Sequence, residues 1–255
     1  MDYSNAVTNE TAMILKVHPS NFRIKGFTAN VLREELATAA KQNGIVFMED
    51  AGSGLLVESD KLGLEGEHSI KRIIKEGVDI VTFSGDKMLG GPQIGIVAGK
   101  RDIINKLKSA QIMRAFRVDK MTLAAFEATL RIYLRGEIDK IPVVSMLKQE
   151  DDELRKRAGR LAANLRKKCK AIARFSVIPV EDAVGGGAYP EKPLKGWGVS
   201  MTDHAWGSAG NLQALLRGNA IPVIAGARED CLIFHVRTLL NGDEERIINA
   251  LNSIS

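Results

Sequence analysis

The chain carries only two cysteines, Cys169 and Cys231, far apart and without metal-ligand spacing, so neither a disulfide-stapled scaffold nor a structural zinc is expected. No apolar run approaches the roughly 18 residues of a membrane-spanning helix. The polar opening MDYSNAVTNE has neither the charged nor the apolar region of a signal peptide. Internal repeats and low-complexity tracts are also missing. These absences lead us to expect a soluble, cytoplasmic protein with reduced thiols. What is present is ordinary globular usage, with 45% hydrophobic and 26% charged residues, which argues against disorder. The 36 basic and 31 acidic residues leave a net charge of +5, which permits an anionic partner such as nucleic acid without requiring one. At 255 residues, the expectation is one large domain or two modest ones.

Up to about residue 135, helical and strand-like stretches alternate, the pattern of a parallel sheet covered by helices. Residues 30–43 have helical spacing at Val31, Leu32, Leu36, Ala39 and Ala40, with Gly44 as a stop. A short strand over Ile45 to Met48 should run into Glu49, Asp50 and the turn Gly52-Ser53-Gly54. A helix near residues 68–76, a strand over Val78 to Phe83 and a strand over Ile94 to Ala98 follow. Residues 119–134 have a helical period free of Gly and Pro, and Gly136 and Pro142 then mark a boundary. This divides the chain into residues 1–138 and 139–255. The second part reads as a small α+β domain, with a basic helix over about 150–173 and helices near 207–217 and 243–251. Strands are expected near 175–180, 197–201, 222–225 and 231–236. The basic helix has Leu154, Leu161 and Leu165 on an apolar stripe, and its Arg and Lys residues form a solvated face or a phosphate-binding one.

Ligands of open α/β sheets sit beyond the carboxyl ends of the strands. Two predicted strands end in chemically loaded turns, Glu49-Asp50 and Ser84-Gly85-Asp86-Lys87. A lysine flanked by Gly85, Gly90 and Gly91 has backbone room for a planar carbonyl group to approach its amine, and an acid at a neighbouring strand end could pair with a protonated pyridine nitrogen. On spacing alone, such residues equally serve as solvated groups or helix caps. Arg114 and Arg117, three apart, share a face if their stretch is helical, forming either an anion clamp or a solvent-facing pair. His18 precedes Pro19, which favours an extended chain that presents its side chains, and it reads as a ligand contact or a packed residue. Ser84 and Asp86 have turn-forming alternatives. His68, His204 and His235 show no ligand-like spacing and read as structural.

The string TFSGDKMLGGPQIGIVAGK, Thr82 to Lys100, closely resembles the cofactor-lysine motif of bacterial selenocysteine synthase, the L-seryl-tRNA(Sec) selenium transferase family. LKVHPSNFRIKGFT, EDAGSG, RAFRVDKMTLAAFEATLRIYL, VGGGA and VRTLL resemble that family in the same order, so the resemblance spans nearly the whole chain. It implies an α/β, fold type I pyridoxal phosphate transferase-like architecture, with residues 1–138 as the C-terminal half of the cofactor-binding large domain and 139–255 as the small domain. It implies pyridoxal 5'-phosphate as cofactor, Lys87 as the catalytic lysine bonded to it, and Asp50 as partner of the pyridine nitrogen. Ser84 and His18 are implied around the cofactor, with Asp86 towards substrate. Arg114 and Arg117 are implied at the site of the selenium donor, selenophosphate. The implied reaction converts seryl-tRNA(Sec), through a dehydroalanyl-tRNA, to selenocysteinyl-tRNA, in a homo-oligomer.

Members of that family carry a tRNA-binding domain and the first half of the large domain ahead of the point where this chain begins. The expectation is therefore a truncated, fragmentary or split protein that alone binds cofactor weakly. Two alternatives stay open: a related lyase acting on a small amino acid or amino sugar, and an inactive partner subunit.

Overall fold

A computed structural model describes residues 2–19, 26, 29–64, 66–170, 173–185, 188–189, 193–202 and 208–254. His204 and the last two glycines of VGGGA, Gly186 and Gly187, lie outside the described residues. The chain divides into two compact units, Met1–Lys148 with Val184–Pro190, and Gln149–Ala183 with Glu191–Ser255.

The first unit is built on a four-stranded sheet in the order β1-β2-β3-β4: β1 (Met13–Val17), β2 (Val46–Gly52), β3 (Ile80–Ser84) and β4 (Gly95–Gly99). β1, β2 and β3 run parallel, and β4 is antiparallel to β3. The expectation of a wholly parallel sheet is corrected here. No helix intervenes between β3 and β4, and a connection this short can only fold the chain back beside itself. β2 also runs past Met48 through Glu49 and Asp50 to Gly52, so those two acids lie in the strand itself. β1 was unexpected as a strand. After a short helix, α1 (Asp2–Ala6), it forms one edge of the sheet.

Side chains alternate across a strand, and in β2 this buries Phe47, Glu49 and Ala51 on one face while Met48 and Asp50 take the other. The buried face packs with Leu36, Ala39 and Ala40 of α2 (Arg33–Gln42) and Ile70 and Ile73 of α3 (Ile70–Lys75). Ser69 caps α3 by accepting from the Arg72 N–H at 3.2 Å. α4 (Arg101–Ser109) follows β4, and a 3-10 turn over Gln111–Arg114 leads to α5 (Lys120–Leu134). Asp119 caps α5, accepting from the N–H groups of Met121 and Thr122. α6 (Pro142–Leu147) completes this unit, with Pro at its first turn where no N–H partner is needed.

The second unit has an antiparallel sheet in the order β5-β6-β8-β7: β5 (Arg174–Ala183), β6 (Pro193–Thr202), β7 (Gly226–Arg228) and β8 (Cys231–His235). The strand expected over 222–225 falls instead at Gly226–Arg228. α7 (Asp151–Lys168) buries Leu154, Ala158, Leu161, Ala162 and Leu165 at helical spacing. With Phe175, Val199, Met201 and Phe234 of the sheet, Leu212 and Leu216 of α8 (Ala209–Arg217), and Ile247, Ile248 and Leu251 of α9 (Asp243–Ser253), they form a continuous core. Each of its Leu, Ile, Val, Met and Phe side chains contributes about 1.5–3 kcal/mol by leaving water. The remaining Arg and Lys side chains of α7 are mostly exposed, and Arg155 lies 5.2 Å over the ring of Trp197. No helix among the described residues is long and apolar enough to cross a membrane.

Candidate active site

The carboxyl ends of β1, β2 and β3 emerge side by side. Two backbone bonds stitch them: the His18 N–H donates to the Asp50 carbonyl at 2.9 Å, and the Met88 N–H donates to the Ser53 carbonyl at 3.0 Å. The Gly52-Ser53-Gly54 turn approaches β3 so closely that a Cβ on Gly54, whose φ is +73°, would lie 2.4 Å from the Ser84 carbonyl oxygen. The segment after β3 folds on itself. Gly85 N–H donates to Ile94 O (2.8 Å), Gly91 N–H to Gly85 O (2.8 Å) and Gly90 N–H to Lys87 O (3.0 Å).

The loop glycines do a different job from the one expected of them. A Cβ on Gly85 would meet Ile94 Cγ2 at 2.5 Å and the Pro92 carbonyl at 2.8 Å, and one on Gly90 would meet Ile141 Cγ2 at 2.4 Å. The space left by their missing side chains is filled by the protein itself, so these glycines let the lysine loop close tightly. Tyr133 of α5 braces the loop from behind, its hydroxyl donating to the Leu89 carbonyl at 2.9 Å. Burial pushes the Tyr133 phenol up to about 12, which keeps it a donor.

Lys87 and Asp86 line a cleft of about 370 Å³ together with Met88, Gly90, Gly91, Pro142, Val143, Val184 and Ala188. Lys87 is half-buried, and its amine makes no hydrogen bond or ion pair among the described residues. A free amine in a small, largely apolar cleft can condense with an aldehyde or move a proton. Asp50 lies on the open face of β2, one carboxylate oxygen accepting from Gly52 N–H at 3.3 Å. Its neighbour Glu49 points the opposite way and pairs with Arg33 at 2.6 Å. Among the described residues, Glu49 thus has a cationic partner and Asp50 has none.

The structure thus gathers His18, Asp50, Ser84, Asp86 and Lys87 at three adjoining strand ends, with Ser84 as the last residue of β3. Of these, only Asp86 and Lys87 line the cleft; His18, Asp50 and Ser84, like Arg114 and Arg117, are not part of its lining. Arg114 ends the 3-10 turn, Arg117 lies in the irregular chain before α5, and both are exposed without an ion pair among the described residues. The helix that would have aligned them does not form.

A buried side chain that the sequence reading passed over is Glu67, an acid in the loop before α3. Its carboxylate accepts from His18 Nε2 at 3.2 Å, from the Ser53 hydroxyl and from the Tyr189 N–H at 3.4 Å. Burial alone would raise its pKa, but the bonds from His18 and Ser53 prevail and hold it below the ordinary glutamate value of 4.5. His68 joins the Arg33–Glu76 network, and His235 pairs with Asp182 at 2.6 Å. Asp182 also holds Arg237 at 2.7 Å, so these three charged groups in the wall of a larger cavity of about 620 Å³ in the second unit bond to one another. Among the described residues, no group of three or more His, Cys, Asp or Glu is placed to hold a metal ion.

The family model described as SelA, L-seryl-tRNA selenium transferase, matches residues 1–240. The chain belongs to the L-seryl-tRNA selenium transferase family. The L-seryl-tRNA(Sec) selenium transferase of Moorella thermoacetica is 42% identical over 98% of this chain and 53% of its own length. That of Clostridium perfringens strain 13 is 44% identical over 99% of this chain and 55% of its own. This family member spans about half the length of the curated relatives it matches. Among solved structures, D-glucosaminate-6-phosphate ammonia-lyase is similar in fold, with a TM-score of 0.59 at 21% identity over 98% of this chain and 59% of that one. That likeness shows the fold, carried here as an α/β unit and an α+β unit.

Proposed function

We propose that this chain supplies the lysine-bearing half of a pyridoxal phosphate-dependent transferase that converts L-seryl-tRNA(Sec) to L-selenocysteinyl-tRNA(Sec), with selenophosphate as selenium donor. The observation that carries the reading is the half-buried Lys87 amine in its cleft, without a polar partner among the described residues, on a chain whose family match covers residues 1–240. The alternative of a small-molecule lyase is not favoured: the amino-sugar ammonia-lyase shares 21% identity, against 42% and 44% for two selenium transferases. The reading includes a cytoplasmic location and a homo-oligomer, since pockets of this fold type usually lie between subunits.

The residues at these strand ends fit the cofactor chemically. Among the described residues the Lys87 amine has no salt-bridge partner, which suits an aldehyde, and the Asp50 carboxylate has no cationic partner, which suits a protonated ring nitrogen. Lys87 would hold the cofactor through Nζ and Asp50 would hold its ring nitrogen, with Ser84 and His18 around it. When bound, pyridoxal phosphate supplies an electron sink for charge developing at the substrate α-carbon. Lys87 Nζ would accept the substrate α-proton and later return it. Asp86, exposed at the cleft mouth, would orient the seryl group. Arg114 and Arg117 would hold the anionic donor, for which guanidinium groups are better suited than ammonium groups.

Incubation with pyridoxal phosphate, borohydride reduction and peptide mass mapping test the reading. The label is expected on Lys87 and absent from Lys87→Ala. Label confined to other lysines, or none when the N-terminal half of a relative is supplied, overturns it.

A further inference from the structure

Glu67 belongs to no helix or strand, yet it is only 8% exposed and has no Lys or Arg partner among the described residues. A buried carboxylate held by neutral donors and one imidazole is an expensive way to secure a loop. Its three donors come from three separate segments. His18 follows β1 and is bonded through its N–H to Asp50 O. Ser53 lies in the glycine turn whose carbonyl receives the N–H of Met88, next to Lys87. Tyr189 adjoins Ala188, a residue of the cleft lining, and holds a left-handed φ of +47°, a strained state for a side chain of its size that persists only where surroundings enforce it.

An ionised carboxylate only accepts hydrogen bonds, so the 3.2 Å contact requires His18 Nε2 to carry the hydrogen. Nδ1 is then the ring atom left for another partner. We propose that Glu67 is a positioning residue for the Lys87 cleft: it fixes His18 with hydrogen on Nε2 and Nδ1 presented to the bound cofactor, while fastening the Ser53 turn and the Tyr189 segment around it. This rests on the reading that the cleft takes pyridoxal phosphate.

Two measurements on the 255-residue chain test it. Long-range ¹H–¹⁵N correlation spectra of the free protein should show His18 carrying hydrogen on Nε2 in the wild type, with Glu67→Gln shifting the ring to a mixed state. Borohydride labelling with pyridoxal phosphate should then fall roughly tenfold at Lys87 in Glu67→Gln, about the worth of one charged hydrogen bond, while labelling of exposed Lys75 stays constant. Glu67→Asp, which keeps the charge, should recover part of the loss, and it serves as the comparison if Glu67→Gln fails to fold. A wild-type His18 with hydrogen on Nδ1 alone overturns the inference, as does equal Lys87 labelling in the wild type and both variants. A wild type that does not label Lys87 even with the N-terminal half of a relative supplied removes the cofactor reading and this inference with it, an outcome distinct from equal labelling.

Discussion

Arg33 meets Glu49 side-on, with Nε 2.6 Å from Oε2 and Nη2 2.7 Å from Oε1, and the glutamate is 1% exposed. This two-pronged bond fastens the start of α2 to the middle of β2, directly behind Asp50. The same guanidinium reaches Glu76 at 3.0 Å, where α3 ends. Removing one partner strands the other charge in the interior. Arg33→Ala is therefore expected to destabilise the first unit by about 3–5 kcal/mol, measured by urea denaturation. Arg33→Lys should recover little, because an ammonium cannot reproduce the planar fork. A loss within a few tenths of a kcal/mol would show that the pair contributes nothing to stability.

Acid sensitivity follows from the buried carboxyls. Burial would raise Glu67 and Glu76, but hydrogen bonds hold both below 4.5, and Asp182 lies below 3.8 for the same reason through His235 and Arg237. A depressed folded pKa gives stability that is complete above the unfolded value and is lost as pH falls through the folded one. Stability from these groups should thus be level down to about pH 5 and decline below about 4.5. Glu76→Gln should flatten that decline while lowering the plateau, as urea midpoints across pH 3 to 7 would reveal. A midpoint that rises on acidification would contradict the assignment.

Gly54→Ala places a methyl 2.4 Å from the Ser84 carbonyl at a φ of +73°. Backbone must move to relieve this, with an expected loss of about 1–3 kcal/mol. Because the turn is also bonded to Met88, the same substitution should lower borohydride labelling at Lys87. Gly44→Ala, at a φ of +64° with open space around it, should have the conformational penalty without the clash, so comparison of the two isolates the contact.

The regular elements whose signals are local were legible in the sequence. The stripe Leu154, Leu161, Leu165 gave α7, and the uninterrupted helical period from residue 119 gave α5. What escaped depends on distant partners. β2 was cut short at Met48 because a strand continuing through Glu49 needs a cation inside, and that cation arrives from Arg33 of α2. The direction of β4 depends on how the Lys87 loop folds back, which no window of residues records. Glu67 left no trace, since its donors lie 14, 49 and 122 positions away. Lys87 and Asp50 were readable as strand-end chemistry, but their separation from Arg114 and Arg117 required coordinates.

Ser84 and Gly95 face each other as paired residues across β3 and β4. Everything between them, the reactive lysine included, is consequently a stitch whose two ends are pinned at one point of the sheet. With no spare room at Gly85, Gly90 or Gly91, a residue added inside it would have to unpick the stitch rather than lengthen it, so its length is held as firmly as its ends.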